Sequence, residues 1–226
     1  MSVRLISYSQ VQPGAFIGLD DVQELIAYCA RVSNPSNQMN NETSEKLIKY
    51  LIKHAHWSPL EMVSACLEVD TTRDIAHQIV RHRSFSFQEF SQRYANPEEM
   101  GGMFTYRETR LQDTKNRQNS IEINAQEHGD IDIKWHDYQR EVIAKAKEAY
   151  DWAIEMGIAK EQARAVLPEG LTKTRLYMNG TLRSWVHYIE LRGANGTQKE
   201  HMEIAHACAK VISEIFPLAG ELYDRS

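Results

Sequence analysis

The chain has 226 residues, 42% of them hydrophobic and 25% charged, with a formal net charge of -5. That length and hydrophobic content suffice for one substantial core and read as a single domain over residues 1–226. The negative charge argues against a general nucleic-acid binder, whose affinity comes from many cationic phosphate contacts, and leaves small anionic ligands open.

Residues 3–8 read as a first strand and Pro13-Gly14 as a turn. Asp20 and Asp21 open a helix with Val22, Leu25, Ile26 and Cys29 on one side, which runs out near Ser33-Asn34-Pro35. After a polar loop, Leu47, Ile48, Leu51 and Ile52 form the stripe of a second helix, stopped by residues 54–59. Residues 64–72 alternate as a strand, and Thr72 with Asp74 resembles the start of a third helix. On that helix Ile75, Ala76, Ile79 and Val80 share one arc, while Asp74, His77, Gln78 and Arg81 share the other. Residues 85–94 follow as an extended run. Residues 96–133 are polar and weakly periodic, an excursion with one short strand expected at 103–107.

A long helix is expected over 132–156, stopped by Gly157. A short helix over 160–167 ends at Pro168, and 173–178 reads as a strand. On a helix over 181–191, Arg183, His187 and Glu190 share a face opposite Leu182, Trp185, Val186 and Ile189. Arg192 projects at its end near Trp185 and Tyr188, on the apolar side, where a guanidinium needs a ligand or an acidic partner. A final helix over 197–216 buries His201, Ile204, Cys208, Val211 and Ile215. The expected class is α/β in the α+β sense: a mixed central sheet flanked by helices, with a long helical excursion.

Cys29, Cys66 and Cys208 are scattered and odd in number, which reads as buried thiols in a reducing compartment. No apolar leader and no window near 18 uncharged apolar residues occurs, so the expectation is a cytoplasmic protein without a membrane partner.

Four arginines and no lysine fall between Arg73 and Arg93, and planar guanidinium forks suit phosphate and carboxylate. Alone, Arg81-His82-Arg83 reads as a solvated complement to a helix dipole. Glu89, Ser91 and Arg93 alternate onto one face of the extended run beside Gln78 and Arg81, which turns the reading towards a polar pocket. His54-Ala55-His56 has no matching ligand cluster, and Glu203 with His206 lacks the second copy a di-iron bundle needs. No metal is expected, and His201 reads as a satisfied core histidine. No glycine-rich dinucleotide fingerprint, phosphate loop or nucleophile elbow occurs, so a dinucleotide would be held by side chains and helix ends. A flavin- or nucleotide-binding regulatory protein and a metal-dependent nucleotide hydrolase are the rival classes.

Arg81-His82-Arg83, seven residues, then Ser91 resembles the Arg-His-Arg-X7-Ser signature of the flavin-dependent thymidylate synthases, the thymidylate synthase-complementing type. Ala30-Arg31-Val32-Ser33, residues 53–59, residues 163–168 and residues 182–192 are similar to that family's other blocks, in its order. Thr181 and Gln92 depart from the asparagine and glycine expected there. The resemblance implies reductive methylation of dUMP to dTMP, with methylenetetrahydrofolate as carbon donor, NADPH as reductant, FAD as hydride carrier and no protein nucleophile. It implies Arg192 over the pyrimidine, favouring its N3-deprotonated form. Gln78, Arg81, Glu89, Ser91, Gln92, Arg93 and Arg164 would join Arg192 around dUMP. Ser33, Ser58, Arg81, His82, Arg83, Glu89, Thr181, Arg183 and His187 would hold FAD, and His56 would lie on the folate side. It further implies a homotetramer whose active sites draw on several subunits.

Overall fold

The strand Ser64–Thr72 (β2) lies inside the sheet because it is two-faced: Ala65, Leu67 and Val69 are buried in the core, and Glu68 and Asp70 alternate onto the other side. The computed structural model describes residues 1–14 and 18–219. Its four-stranded sheet has the order β1-β2-β6-β3, with β1 Ser2–Tyr8, β3 Ser86–Glu89 and β6 Lys173–Thr181. The α+β class is as expected, but the sheet is not mixed as expected: every pairing in it is antiparallel. On the charged face Arg4 and Tyr177 flank Glu68 in register, and Ser2 and Arg175 flank Asp70. Burial opposes ionisation of Glu68, but hydrogen bonds from Arg4 and Tyr177 and the charge of Arg175 hold its carboxyl below the usual range.

The other face is covered by α1 (Val22–Ala30), α2 (Ser44–Lys53), α3 (Arg73–Ile79), α6 (Leu182–Gly193) and α7 (Lys199–Ser213), whose apolar stripes fill the core. Asp21 caps α1 by accepting from the Glu24 amide at 2.8 Å. Trp185 is fully buried and donates its indole N–H to the Ala65 carbonyl at 3.1 Å, tying α6 to β2. Burial of such a side chain contributes on the order of 3 kcal/mol.

Several boundaries differ from the sequence expectation. The strand after the arginine tripeptide stops at Glu89, and the Tyr94 and Ala95 amides turn back to the Ser91 carbonyl at 3.0 and 3.1 Å. The expected strand at 103–107 is a single bridge, Phe104 to Thr172. Its backbone is claimed by a side chain instead: Gln139 accepts from the Arg107 amide at 2.7 Å and donates to the Arg107 carbonyl at 3.0 Å. The excursion carries a hairpin of β4 (Arg110–Gln112) and β5 (Ser120–Glu122), closed by Asp113 accepting from the Lys115 and Asn116 amides. The long helix α4 runs Ala125–Glu155, capped by Asn124 and interrupted at His128, so it begins earlier than the stripe suggests. Met103, Tyr150, Ala153, Ala163 and Leu167 form a second core beneath it, where α5 (Lys160–Ala163) packs. Val80 is on the exposed surface rather than in the α3 stripe, and Val211 and Ile215 are half-buried.

Candidate active site

The arginine tripeptide occupies the turn between α3 and β3. The His82 amide closes on the Ile79 carbonyl at 3.0 Å and the Phe85 amide on the His82 carbonyl at 3.2 Å. Ser184 on α6 donates to the Ser84 carbonyl at 3.2 Å, and the Phe85 ring packs on Trp185 at 4.8 Å. The turn is thereby anchored to the core while Arg81 and Arg83 stay exposed, without ion-pair partners among the described residues.

His82 is the half-buried member. Arg192, one turn past Tyr188 on α6, donates Nε–H to His82 Nε2 at 2.9 Å, so that nitrogen carries a lone pair and Nδ1 holds the proton. Burial, then the charges of Arg192 and Arg81, push the imidazole down to about 4, so it is neutral at pH 7. Of the two partners expected for Arg192, a ligand or an acidic group, the acidic one is not found among the described residues. Arg192 meets a neutral ring, and among the described residues no anionic group pairs with it and none bonds its Nη atoms.

Behind this pair His201 is fully buried, 3.1 Å from the Tyr188 hydroxyl and 3.2 Å from Gln78 Oε1. The satisfied core histidine read from the α7 stripe thus bonds one of the expected nucleotide ligands. Gln78 also donates to Gln198 Oε1 at 2.7 Å. Neither Gln198 nor Tyr188 was among the expected site residues. No sequence motif marks them, because the chain segments that carry them meet α3 only through tertiary packing.

Glu89 accepts on Oε1 from Arg73 at 3.1 Å and from Thr174 at 2.8 Å. Ser91, Gln92 and Arg93 do not extend its strand face, because the chain turns after Phe90. Arg93 instead pairs with Glu161 on α5 at 3.4 Å, which brings it to the element followed by Arg164. Gln92 is only 3% exposed and its Nε2 has no hydrogen-bond partner among the described residues. An orphaned buried amide N–H is what a ligand oxygen would satisfy.

The expected flavin residues form a further group along α6. His187 packs edge-on against Trp57 at 4.3 Å, next to exposed Ser58, and Arg183 pairs with Glu61. Thr181 caps α6, accepting from the Ser184 amide at 3.3 Å. Ser33 is exposed in the turn after α1, and His56 is exposed with its ring 6.4 Å from that of His54. The exposed guanidiniums of Arg81 and Arg83, without anionic partners among the described residues, and the Trp57–His187 pair suit a flavin with its pyrophosphate. Among the described residues no group of three or more His, Cys, Asp or Glu is disposed to hold a metal ion, and no helix is long and apolar enough to cross a membrane. Cavities of about 360 and 400 Å³ open beside Arg107 and Glu200, and neither is lined by Arg81, His82 or Arg192.

A family model described as thymidylate synthase complementing protein matches residues 17–218. A probable flavin-dependent thymidylate synthase of Paramecium bursaria Chlorella virus 1 is 47% identical over 224 residues, covering 99% of both chains. The chain belongs to the flavin-dependent thymidylate synthase family. A second family member, the flavin-dependent thymidylate synthase of Synechocystis sp., is 46% identical over 220 residues, covering 96% of both chains. The fold is shared more widely. The crystal structure of a UMP/dUMP methylase, PolB, from Streptomyces cacaoi bound with 5-Br dUMP superposes with a TM-score of 0.79 at 23% identity, covering 99% of this chain and 94% of that one.

Proposed function

We propose that the protein carries out the FAD-dependent reductive methylation of dUMP to dTMP, with methylenetetrahydrofolate as carbon donor and NADPH as reductant. The observation that carries this reading is Arg192: a cation one turn past the buried Tyr188, bonded to a neutral imidazole and left without an anionic partner among the described residues. Such a group stabilises negative charge on a bound pyrimidine, favours loss of its N3 proton and so activates the ring towards the one-carbon unit. When bound, the flavin supplies the redox chemistry.

No cysteine fits the role of nucleophile. Cys208 is fully buried, and burial raises the thiols of Cys208, Cys29 and Cys66 alike, which disfavours thiolate. Gln78, Arg81, Glu89, Ser91, Gln92, Arg93 and Arg164 would hold dUMP with Arg192, the cations of Arg93 and Arg164 suiting its phosphate. Ser33, Ser58, Arg81, His82, Arg83, Glu89, Thr181, Arg183 and His187 would hold FAD, with His56 towards the folate.

These residues fall into separate groups around α3, α5 and α6, and the cavities beside Arg107 and Glu200 are lined by none of them. The arrangement supports a homotetramer in which neighbouring subunits complete each site. The three unpaired cysteines support a cytoplasmic setting. The test of the central role is Arg192→Ala. It is expected to retain bound FAD while dTMP formation falls at least ~100-fold, the scale for losing one preorganised charge. Full activity would remove Arg192 from this role.

A further inference from the structure

Glu200, on the first turn of α7, is a buried carboxylate held by Arg110 and by Arg107, the latter at 3.5 Å. Its other oxygen accepts from Gln198 Nε2 at 3.0 Å. A carboxylate paired with two guanidiniums is acceptor-only, and that fixes every hydrogen upstream of it. Gln198 must turn its amide nitrogen to Glu200 and therefore its oxygen to Gln78. Gln78 must then donate to Gln198 and offer Oε1 to His201. His201 must donate from Nδ1, which leaves Nε2 to accept from the Tyr188 hydroxyl. The amide and tautomer choices, each free in isolation, are reduced to one.

We propose that Gln198, Glu200 and His201 are positioning residues that hold the Gln78 side chain in a single amide orientation towards the bound nucleotide. The inference rests on the reading of Gln78 as a nucleotide ligand. Once its inner hydrogen bonds are assigned, Gln78 retains one N–H and one oxygen lone pair for the ligand, with no freedom to exchange them. A flipped amide would set donor against donor and acceptor against acceptor, both with the nucleotide and with His201. The reach of the chain from α7 to α3 explains why a histidine sits where an aliphatic residue would pack. It also explains why Gln198, at the start of α7, is not spent on capping it.

The test compares Gln78→Leu, Gln198→Met, His201→Leu and His201→Asn in the FAD-loaded enzyme. KM for dUMP and kcat are measured, together with flavin content and Tm. Gln198 is exposed and makes no cap hydrogen bond, so Gln198→Met is expected to fold normally with unchanged flavin content and Tm. Its KM for dUMP is expected to rise roughly three- to tenfold, the scale of one hydrogen bond, with kcat little changed. His201→Leu should raise KM likewise, and His201→Asn, which keeps a donor, should recover most of the loss. Nitrogen-15 spectra should show the His201 ring protonated at Nδ1 and bare at Nε2, a signal absent from His201→Asn. Should Gln78→Leu raise KM while Gln198→Met and His201→Leu leave it unchanged, the positioning chain is overturned and Gln78 keeps its place. Should Gln78→Leu itself leave KM unchanged, Gln78 is not a nucleotide ligand and the proposal fails with that assignment. Protonation of the His201 ring at Nε2 would also overturn it.

Discussion

Two imidazoles at the α3–α6–α7 junction are kept neutral by their surroundings. Burial first, then the charges of Arg192 and Arg81, push His82 down to about 4. Burial first, with Arg192, His82 and Arg81 adding, pushes His201 down to about 3. In the unfolded chain both would titrate near ~6.5. Between those limits the unfolded chain binds more protons than the folded one, so stability rises with pH through that window and is fully present above ~6.5. The urea midpoint is therefore expected to fall between pH 7 and about pH 5, a range above the ordinary carboxylate values. The decline should be shallower in His201→Asn, and a midpoint flat over that range would contradict neutral burial of these rings. Residue type and spacing made Arg192 legible as a cation in need of a partner. Its partner was not legible, because a neutral histidine 110 positions away in sequence leaves no charge pattern to read.

At the scale of elements, the site depends on how closely the turn after α3 lies against β6. Gly180 sits beneath the Phe85 ring, and a Cβ built there would overlap that ring. Phe85 in turn packs on Phe87, Trp185 and Tyr188, so it has little room to move away. Gly180→Ala is expected to cost about 1–3 kcal/mol through overpacking and to lower Tm by roughly 2–10 °C. It should also weaken flavin retention, because Phe85 directly follows the tripeptide turn. Unchanged Tm and flavin content would show that the turn tolerates displacement. Helices with strong stripes, and the strands beside them, were readable because their burial is periodic. The run after the tripeptide misled because Phe85, Phe87, Glu89, Ser91 and Arg93 alternate as a strand would, whereas the backbone turns at Ser91. The excursion misled for a different reason. Gln139 on α4 supplies the backbone partners of Arg107, and a side chain standing in for a strand has no local signature.

At the scale of the molecule, α4 is the conspicuous exposed element. Trp135 is 44% exposed, Tyr138 49% and Trp152 57%, large apolar surfaces that the proposed homotetramer would cover. Light scattering is expected to give a mass four times the 26.1 kDa of the chain, and a stable monomer that turns over dUMP would contradict shared sites. The family signature was legible because its residues lie close together in sequence. The way the site is completed was not, since it depends on which residues of different elements, and in the proposed homotetramer of different subunits, come together. The most direct test of the whole account is dTMP formation by the purified yellow protein. With dUMP, methylenetetrahydrofolate and NADPH all present, dTMP is expected to form, NADPH oxidation to quicken when dUMP is added, and a chelator to have no effect. Protein that takes up no FAD, or that holds FAD and binds dUMP yet yields no dTMP with all three supplied, would contradict it.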